Sequence, residues 1–363
     1  MTASRPTVRE VDLAEGVALA REGYRVIDVR EPAEWDAGHV AGAISVPLGD
    51  LPARIAEVAP DPDLPLLVHC AVGERSGRAA AWLAERGHRN VVNLRAPIAG
   101  WAAAGGAWEA PRTDLTARER RRYARQLLVP EIGPVGQRAL REARVLIVGA
   151  GGLGSPAAMY LAAAGVGRIG LVDDDVVDES NLHRQVLHAS DRVGARKVDS
   201  AELTLRGINP ALELVKHDER LTEANAERLV AGYDVIVDGT DSLETRYLIN
   251  DAAVRLRRPV VHGSVHRWDG QVTTFAPGGP CYRCLHPVPP PSELAPDCAV
   301  AGVVGVVPGI VGMLQATEAL KLVLRTGETL AGRLLVVDAL GATFDEIRVA
   351  RDPACPACGD GER

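Results

Sequence analysis

Arg144-Val-Leu-Ile-Val148 runs directly into Gly149-Ala150-Gly151-Gly152-Leu153-Gly154, after which Ser155-Pro156-Ala157-Ala158-Met159-Tyr160-Leu161 opens a helix. A short apolar strand, a glycine loop and a helix N-terminus are the parts of a phosphate-binding turn. The glycines let the backbone approach phosphates, and the helix end supplies N–H donors and a favourable dipole. Arg168 to Asp173 reads as the next strand, closing on Asp173. A carboxylate placed roughly 20 residues past such a loop can accept hydrogen bonds from ribose hydroxyls. Gly149, Gly151, Gly152, Gly154 and Asp173 are therefore candidate nucleotide-binding residues. The loop alone leaves the nucleotide open, since an NAD-dependent dehydrogenase fits it, as does a glycine turn that serves only packing.

Outward from this turn, Tyr233 to Asp238 and Pro259 to Gly263 read as further strands between helical patterns, which predicts a doubly wound, mostly parallel sheet. Before it, Tyr24 to Val29 and Leu66 to His69 read as strands and Ser76 to Arg86 as a helix, a smaller α/β domain. From Trp101 the chain turns Ala- and Gly-rich and then polar, until a charged helix begins near Arg118. The expected division is a first domain at 1–108, a linker at 109–116 and a second domain at 117–363.

The 363 residues suffice for two buried cores, and 47% hydrophobic with 25% charged residues is the balance of a soluble globular chain. Aromatic residues make up 4% and the net charge is −7, so a stacking or basic surface for nucleic acid is not expected. Met1 to Glu10 holds Pro6 and mixed charges where a secretory signal would be apolar, which predicts a cytoplasmic protein. Cys298 to Thr317 lacks charge over nearly the length of a membrane span. Gly302, Gly305, Gly309 and Gly312 with Pro308 are expected to break its first half, leaving Met313 to Leu324 as an amphipathic helix in a protein with no membrane segment.

Residues beyond the ribose carboxylate bear on the chemistry. Ser180-Asn181-Leu182-His183-Arg184-Gln185 adds an arginine and polar groups, Lys197 sits in the next helix, and Gly239-Thr240-Asp241-Ser242 ends a strand at the carboxyl edge of the sheet, where Asp241 can hold magnesium. Hydride transfer develops little charge at phosphate and needs no such set. Attack of a carboxylate on the α-phosphate of ATP does, because pyrophosphate must leave with its charge neutralised. Loss of one such stabiliser typically slows a reaction about 100- to 1000-fold.

Residues 118–359 resemble the adenylating enzymes of the molybdopterin-synthase and thiamine pathways, the ThiF/MoeB-type relatives of ubiquitin-activating enzymes. The resemblance is carried by Arg122-Tyr-Ala-Arg125-Gln126, the glycine loop, Ser180 to Gln185, Lys197, Gly239 to Ser242, Pro280-Cys-Tyr-Arg-Cys284 and the final cysteine pair. It implies that Gly152, Asp173, Ser180 to Arg184, Lys197, Asp241 and Ser242 line an ATP site. It further implies that Arg125 enters the active site of a neighbouring subunit, hence a homodimer. The implied partner is a ubiquitin-like sulfur carrier ending in Gly-Gly, whose terminal carboxylate becomes the acyl-adenylate.

Six cysteines complete the reading. Cys281/Cys284 and Cys355/Cys358 form two C-x-x-C pairs, a full thiolate shell for structural zinc, with redox dithiols as the alternative. The resemblance implies the same zinc. Cys70 ends the strand Leu66 to His69 and begins the loop Cys70-Ala-Val-Gly-Glu-Arg75, where Arg75 and the dipole of the helix opened by Ser76 are expected to favour its thiolate. A buried, inert cysteine remains the other reading. Residues 7–108 resemble a rhodanese domain through Asp28-Val-Arg30-Glu31, Trp35, Gly38-His39, Gly42-Ala43-Ile44 and the Cys70 to Ser76 loop. That resemblance implies a persulfide on Cys70, loaded by a sulfur donor and positioned by Arg75, with Asp28 and Arg30 structural. Relatives carry a cysteine at the place of Cys298, which implies that it resolves the intermediate; a plain buried cysteine is the alternative. The expected function is ATP-dependent activation of a sulfur carrier followed by sulfur transfer from Cys70. A noncatalytic nucleotide-binding scaffold and a dehydrogenase with a rhodanese appendage are its rivals.

Overall fold

The computed structural model describes residues 8–36, 38–109, 115–288 and 302–359. It divides into two compact units, Met1–Val135 and Gly136–Arg363. The division falls later than the expected linker at 109–116.

The first unit runs β1 (Arg9–Val11), α1 (Leu13–Arg21), β2 (Arg25–Asp28), α2 (Pro32–Asp36), β3 (His39–Val40), β4 (Ile44–Ser45), α3 (Leu51–Val58), β5 (Leu66–His69), α4 (Glu74–Glu85), β6 (Val91–Leu94), β7 (Trp108–Glu109) and α5 (Ala117–Arg122). Its main sheet has the order β1-β6-β5-β2-β4, and every pairing is parallel. Alternate residues of its central strands feed two cores, as the period of a strand requires. Ile27, Leu66 and Val68 join Leu51, Ala79 and Leu83 on one face, while Val26 and Leu67 join Val17, Leu94 and Trp101 on the other. Strand β5 is buried throughout and carries Cys70 at its carboxyl end.

The division falls within α6 (Gly133–Glu142), and the second unit continues through β8 (Arg144–Val148), α7 (Gly154–Ala164), β9 (Arg168–Val172), α8 (Lys197–Ile208), β10 (Glu213–His217), α9 (Glu223–Ala231), β11 (Val235–Asp238), α10 (Leu243–Arg255), β12 (Val260–His266), β13 (Asp269–Phe275), α11 (Tyr282–Leu285), α12 (Val306–Leu324), β14 (Arg333–Asp338) and β15 (Thr343–Arg348). Sheet order is β10-β9-β8-β11-β12-β13-β14-β15. The first five strands pair in parallel, and chain order reverses between β8 and β11. This is the switch point at which open α/β sheets bind ligands.

The sheet is mostly parallel, as expected, and doubly wound over those five strands, with β13, β14 and β15 extending it as an antiparallel meander. One expectation needs correction. Gly309 and Gly312 do not break the apolar segment, since α12 is helical from Val306 onward and only Gly302 and Gly305 lie ahead of it. Pro308 is its third residue, where the missing N–H would have no helical partner anyway. Gly312 allows close approach, for a Cβ there would lie 2.4 Å from the Leu153 carbonyl oxygen. Helix α12 is long and apolar enough to cross a membrane, yet it packs against α7, β11, β12 and β13, and Val307, Val311, Gln315 and Glu318 are buried.

Candidate active sites

A cleft of about 990 Å³ opens at the switch point, lined from one side by Gly149, Gly151 and Gly152 and from the other by Gly239 to Leu243, Thr245 and Arg246. Gly149 has φ +94°, and a Cβ on it would sit 2.8 Å from the Gly239 carbonyl oxygen. Gly154 does not line the cleft. A Cβ there would lie 1.8 Å from the Gly149 carbonyl oxygen, so this glycine closes the turn from beneath. The Ala150 peptide is held at both ends. Its N–H donates to Asp173 Oδ2 at 2.7 Å, and its carbonyl accepts from His188 Nε2 at 3.0 Å, with Ser200 Oγ 3.0 Å from His188 Nδ1. Burial lowers the His188 pKa, which suits the neutral ring of such a bridge.

Asp173 also accepts from the Asp175 N–H and lies 4.0 Å from Lys197 Nζ. Burial raises its pKa against the pull of Lys197 and the two N–H donors. Lys197 is 5% exposed at the start of α8, with its ammonium 2.8 Å from Asp175 Oδ2. Arg184, which lines the cleft with Gln185, donates to the Ser180 carbonyl at 3.3 Å and to Asn181 Oδ1 at 2.8 Å, with His183 Nε2 also 2.8 Å away. Ser180, Asn181, Leu182 and His183 themselves do not line it; three of them hold the arginine that does. Asp241 is exposed on the wall, and Ser242 caps α10 by accepting from the Thr245 N–H.

The sequence reading missed what fixes the Gly239 to Ser242 loop. Asp238 is buried, with Oδ2 2.7 Å from His262 Nδ1 and Oδ1 accepting from the Thr240 N–H and hydroxyl. Burial works to raise the Asp238 pKa, but His262 and its other partners hold it below the usual carboxylate range. Gln315 of α12 donates to the Asp238 carbonyl at 2.6 Å, and Arg246 donates to that of Thr240 at 2.9 Å. These partners stand 24 and 77 positions from Asp238, so no local pattern announces them.

The four paired cysteines converge, with all their sulfurs within 4.8 Å of one another. Cys281 to Cys284 is 4.0 Å, Cys281 to Cys355 is 3.6 Å and Cys284 to Cys358 is 3.4 Å. A tetrahedral zinc with bonds of about 2.3 Å needs sulfurs about 3.8 Å apart, so the donor set and spacing fit that ion. Cys281 does cap the short helix α11, but its sulfur faces the other pair, which disfavours an isolated redox dithiol.

In the first unit, Cys70 is 1% exposed and its sulfur accepts from the Gly73 N–H at 3.1 Å and the Ser76 hydroxyl at 3.4 Å. Burial works to raise its pKa, yet those donors, with the N–H groups of Val72 and Ser76, bring it below the ordinary thiol value. The N–H groups at the start of α4 act on the sulfur as expected, whereas Arg75 is not among its donors, because it gives both terminal nitrogens to Glu34 at 2.7 Å each. Asp28 and Arg30 form a buried pair at 2.6 Å. His69 is buried beside it, Nε2 3.5 Å from Asp28 Oδ2, and desolvation lowers its pKa to about 4. Arg125 is exposed and lies in the first compact unit. Cys298 lies outside the described residues.

The ThiF family model matches residues 123–357, about two thirds of the chain. The chain belongs to the ThiF family. A rhodanese-like domain model matches residues 14–104, so a rhodanese-like domain precedes the ThiF domain on one polypeptide. The SAMP-activating enzyme E1 of Haloferax volcanii is 50% identical over 248 residues, 68% of this chain and 92% of its own length. The sulfur carrier protein adenylyltransferase of Thermus thermophilus is 50% identical over 251 residues, 68% of this chain and 93% of that protein. The adenylyltransferase and sulfurtransferase MOCS3 of Sus scrofa is 52% identical over 252 residues, 69% of this chain and 55% of that protein. Among solved structures, Escherichia coli MccB with MccA-N7isoAsn matches 66% of this chain and 75% of its own, with a TM-score of 0.60 at 23% identity, a likeness of fold alone.

Proposed function

We propose that this ThiF-family chain adenylates the C-terminal glycine of a ubiquitin-like sulfur carrier with ATP, and passes sulfur to it from a persulfide on Cys70. The observation that carries the reading is the meeting of Arg184, Lys197 and Asp241 with the glycine loop at the switch point of the sheet. The loop N–H groups and α7 would receive phosphates, and Asp173 the ribose hydroxyls. Arg184, oriented by Asn181 and the Ser180 carbonyl, and Lys197, desolvated against Asp173 and Asp175, would offset charge as the carrier carboxylate attacks the α-phosphate and pyrophosphate leaves. Asp241 would hold magnesium, which when bound adds Lewis-acid neutralisation of the phosphates. The four cysteines would hold zinc as a structural tie.

At Cys70, the ring of N–H donors and Ser76 favours the thiolate and would stabilise the persulfide anion. That persulfide attacks the acyl-adenylate, AMP leaves, and a thiol then attacks the Cys70 sulfur of the acyl disulfide, releasing the carrier thiocarboxylate and leaving a disulfide with Cys70 that an external dithiol reductant would reopen. Cys298 is the thiol proposed for that attack on Cys70, and Arg125 is proposed to complete the site of a second copy in a cytoplasmic homodimer. The test is carrier-dependent exchange of labelled pyrophosphate into ATP with small proteins ending in Gly-Gly. Cys70→Ala should abolish thiocarboxylate formation and leave exchange at the wild-type rate; loss of both would refute the division of labour.

A further inference from the structure

Arg75 is the only cation in the loop from Cys70 to Ser76, and it senses the charge on Cys70 through space. Its outer edge is already taken. Nη1 meets Glu34 Oε2 and Nη2 meets Oε1, both at 2.7 Å, across 41 positions of sequence. This fork-to-fork contact uses the same pair of N–H directions that a sulfonate or another tetrahedral oxyanion would use. Glu34 is itself held, since Oε2 accepts from the Glu31 N–H at 3.0 Å, and Glu31 adds a second negative charge near Arg75. Both side chains of the pair are about a quarter to a third exposed, 31% for Arg75 and 26% for Glu34, so an incoming donor can reach them.

We infer that Glu34 is a specificity-determining residue for the sulfur donor: by occupying Arg75 it disfavours small dianionic donors such as thiosulfate and leaves Cys70 to donors whose sulfane sulfur carries no oxyanion, as in a persulfide. The inference rests on the reading that Cys70 accepts sulfane sulfur. In the favoured reaction the Cys70 thiolate attacks the outer sulfur of R–S–S–H and the donor S–S bond breaks. R–S⁻ leaves with the bonding pair, Cys70 keeps S–SH, and no external oxidant or reductant enters. From thiosulfate the same attack would release sulfite, with a solvent proton taken up by the new persulfide. The two routes differ in the charge that must approach Arg75.

The experiment loads full-length wild type, Glu34→Gln and Glu34→Asp from thiosulfate and, separately, from glutathione persulfide. Sulfur on Cys70 is read by intact mass and transfer to cyanide by rate. Glu34→Gln should raise kcat/KM for thiosulfate about tenfold at low salt, mainly through KM, with the gain shrinking at high salt. Loading from the persulfide should change less than about twofold, and Glu34→Asp, which keeps the charge, should stay near wild type. An unchanged thiosulfate KM in Glu34→Gln, while the persulfide still loads Cys70, overturns the inference. A salt series on the wild type tests it without any variant, because a thiosulfate KM that climbs steeply with ionic strength would mean that Arg75 is free to bind the dianion. Loading of wild type by neither donor overturns the Cys70 reading itself and this inference with it.

Discussion

Lys197 and Asp241 show how differently two side chains can serve one cleft. Lys197 is desolvated and tied to two acidic neighbours, so its replacement disturbs α8 and the loop after β9 as well as the phosphates. Asp241 is exposed on the wall and holds no core together. Asp241→Asn should therefore lower pyrophosphate exchange about 100- to 1000-fold while the thermal midpoint of the nucleotide-free protein stays put, as calorimetry beside the exchange assay would show. His69 makes a pH-dependent case in the first unit. Folded, it titrates at about 4, below its ordinary value of 6.5, because burial excludes the charged ring. Between those values the unfolded chain binds the extra proton, so stability falls as pH is lowered through 6.5 toward 4, by about 3 kcal/mol across the window. Trp35, Trp82, Trp101 and Trp108 all lie in this unit, so urea midpoints followed by tryptophan fluorescence report on it. His69→Gln should flatten that part of the profile; an equal slope in both proteins would count against the assignment.

At the scale of elements, the turn between β8 and α7 has two kinds of glycine. A methyl at Gly154 would lie 1.8 Å from a backbone oxygen that cannot swing away, whereas one at Gly151 meets nothing nearer than Gln185 Nε2 at 3.7 Å. Gly154→Ala should destabilise the second unit by about 1 to 3 kcal/mol and weaken ATP binding with it. Gly151→Ala should leave the denaturation midpoint unchanged and weaken ATP binding alone, because Gly151 faces the cleft. Isothermal titration with ATP, run beside urea denaturation, separates the two. These elements were legible in the sequence for a physical reason: a buried parallel strand is a continuous apolar run, and the phosphate turn needs glycine at fixed places. Leu66 to His69 and Arg144 to Val148 fall where they were read. Strand β15 escaped because it is exposed along its whole length and carries no clear alternation. Helix α12 was cut short in the reading because Pro308 and its glycines look like breakers until a first-turn position and a close packing partner explain them. Asp238, His262 and Gln315 were invisible as a group because only the fold brings them together.

For the whole molecule, the cysteine cluster closes a loop of 70 residues between Cys284 and Cys355, which contains α12, β14 and β15. Closing so long a loop adds little entropic penalty beyond that of a shorter one, since the penalty rises only with the logarithm of length. Structural zinc in such a shell contributes on the order of 10 kcal/mol, as large as the net stability of an ordinary domain. Purified protein should therefore contain one zinc per chain, and Cys355→Ser should lose it. Removal of zinc by a chelator at neutral pH should lower the melting temperature of the second unit by more than about 10 °C, which a single loss of several kcal/mol would produce. Tryptophan fluorescence, dominated by the four residues of the first unit, should report an unshifted transition in the same sample. A zinc-free protein that melts where the loaded one does would show that the four thiols are close for another reason. Loss of both transitions together would show that the two units depend on each other for stability.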